Sequence, residues 1–161
     1  MYKFQAKFYL KLIFLISFIS LISAYFIQFI LGHQPCNLCL IERIPYSVSM
    51  VLIILILIFH KNEKFFVLLL IIAFIFSLTI SIYHFGIERG FFEESTICTV
   101  KNLSEILTKE DLLKQLSMKT VSCKDVTFRI FGLSLTSINI FISLFILIVL
   151  FKIYNLYEKN R

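Results

Sequence analysis

Four residues that can carry redox chemistry stand apart from the apolar bulk of this chain: Cys36, Cys39, Cys98 and Cys123. Free cysteine packs well as a small hydrophobe, so its exclusion from every long apolar run needs another reason. The four divide into a close pair, Cys36-Asn37-Leu38-Cys39, and a wide pair, Cys98 and Cys123. Three chemistries compete for them. Structural disulfides would staple loops, and that reading stays open for the wide pair. It is weaker for the close pair, because a bridge over two intervening residues removes little unfolded-state entropy. A zinc ion could draw on all four, but a lone C-x-x-C followed by two distant single cysteines is not finger or ribbon spacing, so no metal is expected. Thiol–disulfide exchange suits small C-x-x-C rings best.

The surroundings of the close pair favour exchange. Cys36–Cys39 runs directly through Leu40-Ile41-Glu42-Arg43 into an apolar stretch. A thiolate at a helix N-terminus feels the positive end of the helix dipole, and a neighbouring arginine adds a full charge. If 38–43 is helical, Cys39 and Arg43 stand at i and i+4 on one face. Arg43 could equally be a snorkelling interfacial anchor, and Glu42 reads as a plain interfacial charge. His84, in Tyr83-His84-Phe85-Gly86 near the end of an apolar run, is a second candidate, since ionisable residues at membrane depth are functional by default. A helix-end histidine bonded to a carbonyl is the alternative.

The elements that must hold these residues follow from composition. Of 161 residues, 59% are hydrophobic and 16% charged, with only 4 Gly and 2 Pro. A water-soluble domain carries about 45–50% apolar and about 25% charged residues, so an ordinary soluble enzyme, a nucleic-acid-binding domain and a disordered chain all fit poorly. Uncharged apolar runs occupy 12–31, 44–59, 65–87 and 130–151, about half of the chain. A hydrocarbon core about 30 Å thick needs roughly 20 helical residues. Three runs meet that length, and the second can borrow 38–43. No alternating pattern could close a barrel, so the expected fold is all-α: a membrane four-helix bundle in a single domain. The first run exceeds a signal-peptide core of about 7–15 residues and three more follow it, so it is read as a retained span.

Charge sets the expected orientation. The net charge is +6, and the whole excess falls in the N-terminal stretch, the turn 60–64 and the C-terminal tail. Segment 32–43 and loop 88–129 are each balanced. Positive residues mark the cytoplasmic side, which leaves both termini inside and all four cysteines outside, where disulfides persist. Serines recur at helical spacing: Ser17, Ser20 and Ser23; Ser77 and Ser81; Ser134 and Ser137. These let helices approach closely and argue for one compact bundle. In the long loop, Leu103, Ile106, Leu107, Leu112, Leu113 and Leu116 fall at helical spacing, suggesting a short amphipathic helix on the membrane surface or on the bundle top.

The chain resembles the DsbB family, membrane quinone reductases that reoxidise a periplasmic thiol oxidase, DsbA. The resemblance rests on Pro35-Cys36-Asn37-Leu38-Cys39 continuing to Glu42-Arg43, matching C-x-x-C-x-x-E-R at the head of the second span. It extends to four spans, two outward cysteine pairs, and Phe131-Gly132-Leu133-Ser134 opening the last span after Cys123. It implies that Cys98 forms a mixed disulfide with a reduced DsbA-like protein and that Cys123 passes the exchange to Cys36. Cys39 then acts on a bound ubiquinone or menaquinone, as a thiolate in charge-transfer contact or as a transient adduct. Arg43 would stabilise negative charge there, with His84 near the quinone. It also implies a bacterial inner membrane, with the cysteines on the periplasmic side. The competing class is a four-span scaffold or accessory subunit whose disulfides are structural.

Overall fold

The computed structural model describes residues 2–59, 62–93, 122–124, 129–130 and 132–159. The elements are α1 (Tyr2–Phe29), α2 (Asn37–Ile41), α3 (Ile44–Ile58), α4 (Glu63–Glu88), β1 (Arg129–Ile130), β2 (Leu133–Ser134) and α5 (Leu135–Lys159). Cys98 and the leucine-rich segment expected to form an amphipathic helix lie outside the described residues.

Four stretches are long and apolar enough to cross a membrane: Phe4–Phe29, Asn37–Ile58, Glu63–Glu88 and Leu135–Lys159. The second combines α2 and α3, so the short apolar run is lengthened by the residues that precede it. The two pieces are separated at Glu42–Arg43 because Pro45 has no N–H to bond the carbonyl of Ile41. The Glu42 and Arg43 amides turn back to Leu38 and Leu40 instead. α1 packs on α3 and α5, α3 on α4, and α4 on α5, closing a four-helix ring. Its interior is filled by Leu10, Ile13, Ile53, Leu70, Phe74, Ile146 and Leu150, all fully buried. Large apolar side chains such as Phe8, Ile19, Phe76, Phe141 and Ile148 cover the outside. In water that exterior would be untenable, whereas hydrocarbon solvates it.

Two helices have ends other than those of the apolar runs they contain. α1 begins at Tyr2 rather than residue 12, so Lys3, Lys7 and Lys11 sit on helix. The last helix begins at Leu135, inside the run that starts at 130, because Arg129–Ile130 pairs antiparallel with Leu133–Ser134, Arg129 opposite Ser134. That hairpin turns through Gly132 at φ +82, a left-handed position that glycine adopts without strain. Ser134 then caps α5, its hydroxyl accepting the Ser137 N–H at 3.2 Å.

The serines pair across helices. Ser49 donates to Ser17 at 2.9 Å, joining α3 to α1, and Ser77 meets Ser143 at 3.1 Å between α4 and α5. In lipid each such bond contributes about 0.6 kcal/mol on average.

Candidate thiol site

The site is assembled from the first turn of the second span and the facing ends of α4 and α5. Cys36 is the N-cap of α2, with extended backbone (φ −71, ψ 168). Its sulfur accepts the Cys39 N–H at 3.2 Å, the bond that an N-cap oxygen ordinarily makes. Both Cys36 and Cys39 carry free thiols, and their sulfurs lie 2.7 Å apart. His84, on α4 and 1% exposed, brings Nε2 to 3.6 Å from Cys36 Sγ. Three donors thus converge on one buried sulfur. The Cys36 thiol is accordingly lowered from 9.0 to about 5: the Cys39 thiol hydrogen bond contributes most, and the His84 bond and charge assist against the opposing cost of burial.

A chain of polar groups holds His84 from behind. Its Nδ1–H donates to Glu42 Oε1 at 3.0 Å and lies 3.3 Å from the Thr136 hydroxyl. Thr136 donates to Glu88 Oε1 at 2.6 Å. The second oxygen of Glu42 accepts from Asn139 Nδ2 at 3.1 Å, and the same amide reaches Ser81 at 2.7 Å. Asn139 Oδ1 accepts from the Tyr46 phenol. An isolated carboxylate at membrane depth would cost several kcal/mol; Glu42 has a partner on each oxygen.

This corrects the reading of Glu42 as an interfacial charge. At 8% exposure it is part of the buried centre, because the break between α2 and α3 turns it toward α4 and α5. Arg43 also departs from expectation. It hydrogen-bonds Gln28 Oε1 at 2.6 Å and the Ala24 carbonyl at 3.5 Å, and stands over the Tyr25 ring at 5.1 Å. All three contacts lie on α1, so Arg43 ties the second span to the first rather than pairing with Cys39 through one helical turn. His84 meets the side chains of Cys36, Glu42 and Thr136 in place of a carbonyl.

Beside the thiols opens a cavity of about 320 Å³, within the range of small-molecule sites of about 300–1,000 Å³. Its walls are largely apolar, with Ile19, Ala24 and Ile27 from α1 and Leu135, Ile138 and Ile142 from α5. Its polar lining includes Cys39, Glu42, Arg43, Tyr46 and His84, and Ser20 and Ser23 of α1 face it. Cys123 is disulfide-bonded and buried, and packs in one cluster with Cys36, Leu38 and Ile87. The structure therefore gathers Cys36, Cys39, Cys123, Arg43 and His84 around one cavity. Sequence reasoning missed Thr136, Asn139 and Tyr46. Asn139, a carboxamide within an otherwise apolar run, was the available signal.

A family model described as "Disulfide bond formation protein DsbB" matches residues 6–153. An uncharacterized protein of Rickettsia prowazekii (strain Madrid E), RP370, is 33% identical over 141 residues, covering 84% of this chain and 80% of the relative. No solved structure matches. The chain belongs to the DsbB family, and with its four apolar helices it is a multi-pass membrane protein of disulfide-bond formation.

Proposed function

We propose that this DsbB-family protein reoxidises a periplasmic, DsbA-like thioredoxin-fold protein and passes the electrons through two cysteine pairs to a membrane quinone. The observation that carries this reading is the free Cys36–Cys39 pair, sulfurs 2.7 Å apart, set between a quinone-sized apolar cavity and the disulfide-bonded Cys123. The excess positive charge at the opposite end of the bundle supports a cytoplasmic location for both termini and a periplasmic one for the thiols, in a bacterial inner membrane.

In this scheme Cys123 is bonded to Cys98, the fourth cysteine. A thiolate of the partner attacks Cys98, the Cys98–Cys123 bond breaks, and Cys123 leaves as a thiolate. Cys123 attacks Cys36 of the oxidised close pair, and Cys39 leaves as a thiolate facing the cavity. The partner's second thiol then closes its own disulfide and releases Cys98 as a thiolate, which attacks Cys123 and expels Cys36, so that the Cys98–Cys123 bond re-forms. Two electrons and two protons have left the partner, and the close pair holds the electrons as a dithiol. Shared packing of Cys36 with Cys123 brings these two steps together.

The cavity residues fit a quinone: apolar walls from α1 and α5 for the ring, and Arg43, Glu42 and His84 at the polar end. A bound ubiquinone or menaquinone supplies the two-electron oxidising capacity and leaves as the quinol. Arg43 places a fixed positive charge where negative charge develops, a contribution of several kcal/mol when water is excluded. His84 holds Cys36 as a thiolate and can take up or release a proton at Nε2, while Glu42 fixes its ring.

The test is quinone reduction by the purified protein, driven by a reduced thioredoxin-fold oxidase. Cys39→Ser and Cys98→Ser should each abolish turnover. Full activity in either variant would overturn the scheme. A scaffold with structural disulfides alone would show no turnover in the unsubstituted protein either.

A further inference from the structure

Oxidised and reduced forms of the close pair differ in more than two electrons. Only the reduced form offers two sulfur ligands, and the structure places a third ligand beside them. Cys36 Sγ, Cys39 Sγ and a His84 ring nitrogen all lie within 4.8 Å of one another. We propose that the reduced Cys36–Cys39 pair and His84 form a redox-gated site for a thiophilic divalent cation of the zinc class, with its fourth position toward the cavity.

The geometry of His84 is the strongest argument. A metal-binding histidine almost always donates its second ring N–H to a carboxylate or carbonyl, which fixes the ring and its tautomer. His84 Nδ1–H is held by Glu42 at 3.0 Å, so Nε2 is the nitrogen presented to the sulfurs. Glu42 is in turn held by Asn139, so the support continues one shell further out. The fourth position has candidates too: Glu88 Oε1 lies 4.0 Å from Nε2, and the cavity admits water. Two thiolates, one imidazole and an open place form a donor set that zinc uses.

The sulfurs must separate for this. Bonds of about 2.3 Å in a tetrahedron set two sulfurs roughly 3.7 Å apart, against 2.7 Å in the free pair. Cys39 is only partly buried and borders the cavity, so its side chain has space to rotate outward. Binding forms two metal–sulfur bonds and one metal–nitrogen bond. The protons of Cys39 Sγ and His84 Nε2 leave to water, and no electrons move. A proton on Cys36 Sγ would leave in the same way. Once ligated, neither sulfur can enter a disulfide, so the cation would arrest the site in its reduced state.

The experiment uses the full chain in lipid nanodiscs, reduced and stripped with a chelator, titrated with Cd²⁺ alone. The expected result is one equivalent bound, seen as the ultraviolet thiolate-to-cadmium band. Co²⁺ should give the intense visible bands of a tetrahedral site. Binding should vanish when the same protein is oxidised, a comparison that needs no substitution and is independent of folding defects. Cys36→Ser should lose the band, and Glu42→Gln should weaken binding about 10–100-fold, as loss of an outer-shell partner does. Equal binding in oxidised protein, or undiminished affinity in His84→Ala, overturns the proposal. No quinone or protein partner is present, so this outcome is separate from that of the quinone-reduction test.

Discussion

Replacing Cys39 by alanine should raise the Cys36 thiol by about one to two pH units while leaving the sulfur in place. Cys36 is lowered from 9.0 to about 5, and the Cys39 thiol, donating across 2.7 Å, contributes most. A hydrogen bond to a charged acceptor contributes about 1.5–3 kcal/mol, and one pH unit corresponds to about 1.4 kcal/mol. Losing that donor thus moves Cys36 from about 5 to roughly 6–7. Burial still opposes the charge, whereas the His84 contact and the residue-39 backbone N–H remain. The assay is the pH dependence of Cys36 alkylation by iodoacetamide in reduced protein, followed by mass spectrometry. Thiolate is the reacting form, so the unsubstituted protein should gain reactivity through pH 5 and level off by about pH 7. Cys39→Ala should shift that curve upward; Cys39→Ser, whose hydroxyl still donates, should shift it less. A Cys39→Ala curve superimposed on the unsubstituted one, or an unsubstituted curve centred near 9, refutes the reasoning. The sign carries over to stability. Between about 5 and 9.0 the unfolded chain keeps a proton that folded Cys36 has lost, so this contribution is complete above 9 and disappears as pH falls through 5.

Other residues give further tests. Arg43→Ala should weaken quinone use while both disulfides still form; unchanged kinetics across a range of quinone concentrations would count against its role. The same substitution breaks the ties to Gln28 and Ala24, so a lowered thermal midpoint should accompany the kinetic effect, and Arg43→Lys should restore only part of either. Glu42→Gln removes the charge behind His84 and should raise the Cys36 thiol, readable in the same alkylation profile; an unmoved profile would make Glu42 merely structural. Asn139→Ala removes the partner of Glu42 Oε2 and one bond each of Ser81 and Tyr46 and should destabilise the protein by about 1–3 kcal/mol, checked by denaturant titration in detergent.

How far the sequence reveals this centre depends on whether a residue's role is local. Cys36 and Cys39 are legible because their chemistry lies in a four-residue spacing. The four spans are legible because hydropathy is summed over twenty positions, and a boundary error of five residues does not alter it. Glu42 is not legible in the same way. Its neighbours in sequence suggest an interface, whereas its burial arises from a helix break that Pro45 imposes and from partners 42 and 97 residues away. Arg43 shows the same limit in reverse: helical spacing links it to Cys39, yet once the helix breaks, its guanidinium turns to α1. Ser134 offered a usable signal, since a serine three residues before Ser137 can cap a helix, and reading it that way would have moved the last helix start from 130 to 135.

Polarity along the bundle explains why the chemistry sits at one end. Between Glu63 at its start and Gly86–Ile87 at its end, the buried positions of α4 are Val67, Leu70, Ile71 and Phe74 in its first half and Ser77, Ser81 and His84 in its second. α5 runs the other way, from Thr136, Ser137 and Ser143 to Ile146, Leu147, Leu150 and Ile153. Antiparallel packing superimposes the two polar halves and the two apolar halves. Polar groups in hydrocarbon are tolerated only with partners, and superposition supplies them: Ser77 with Ser143, Asn139 with Ser81, Thr136 with His84. The apolar halves bury a continuous core that no polar group interrupts between Glu63 and Ser77. A centre that must hold a thiolate, an imidazole and two carboxylates near lipid is thus supported from below by packing and satisfied from the sides by hydrogen bonds.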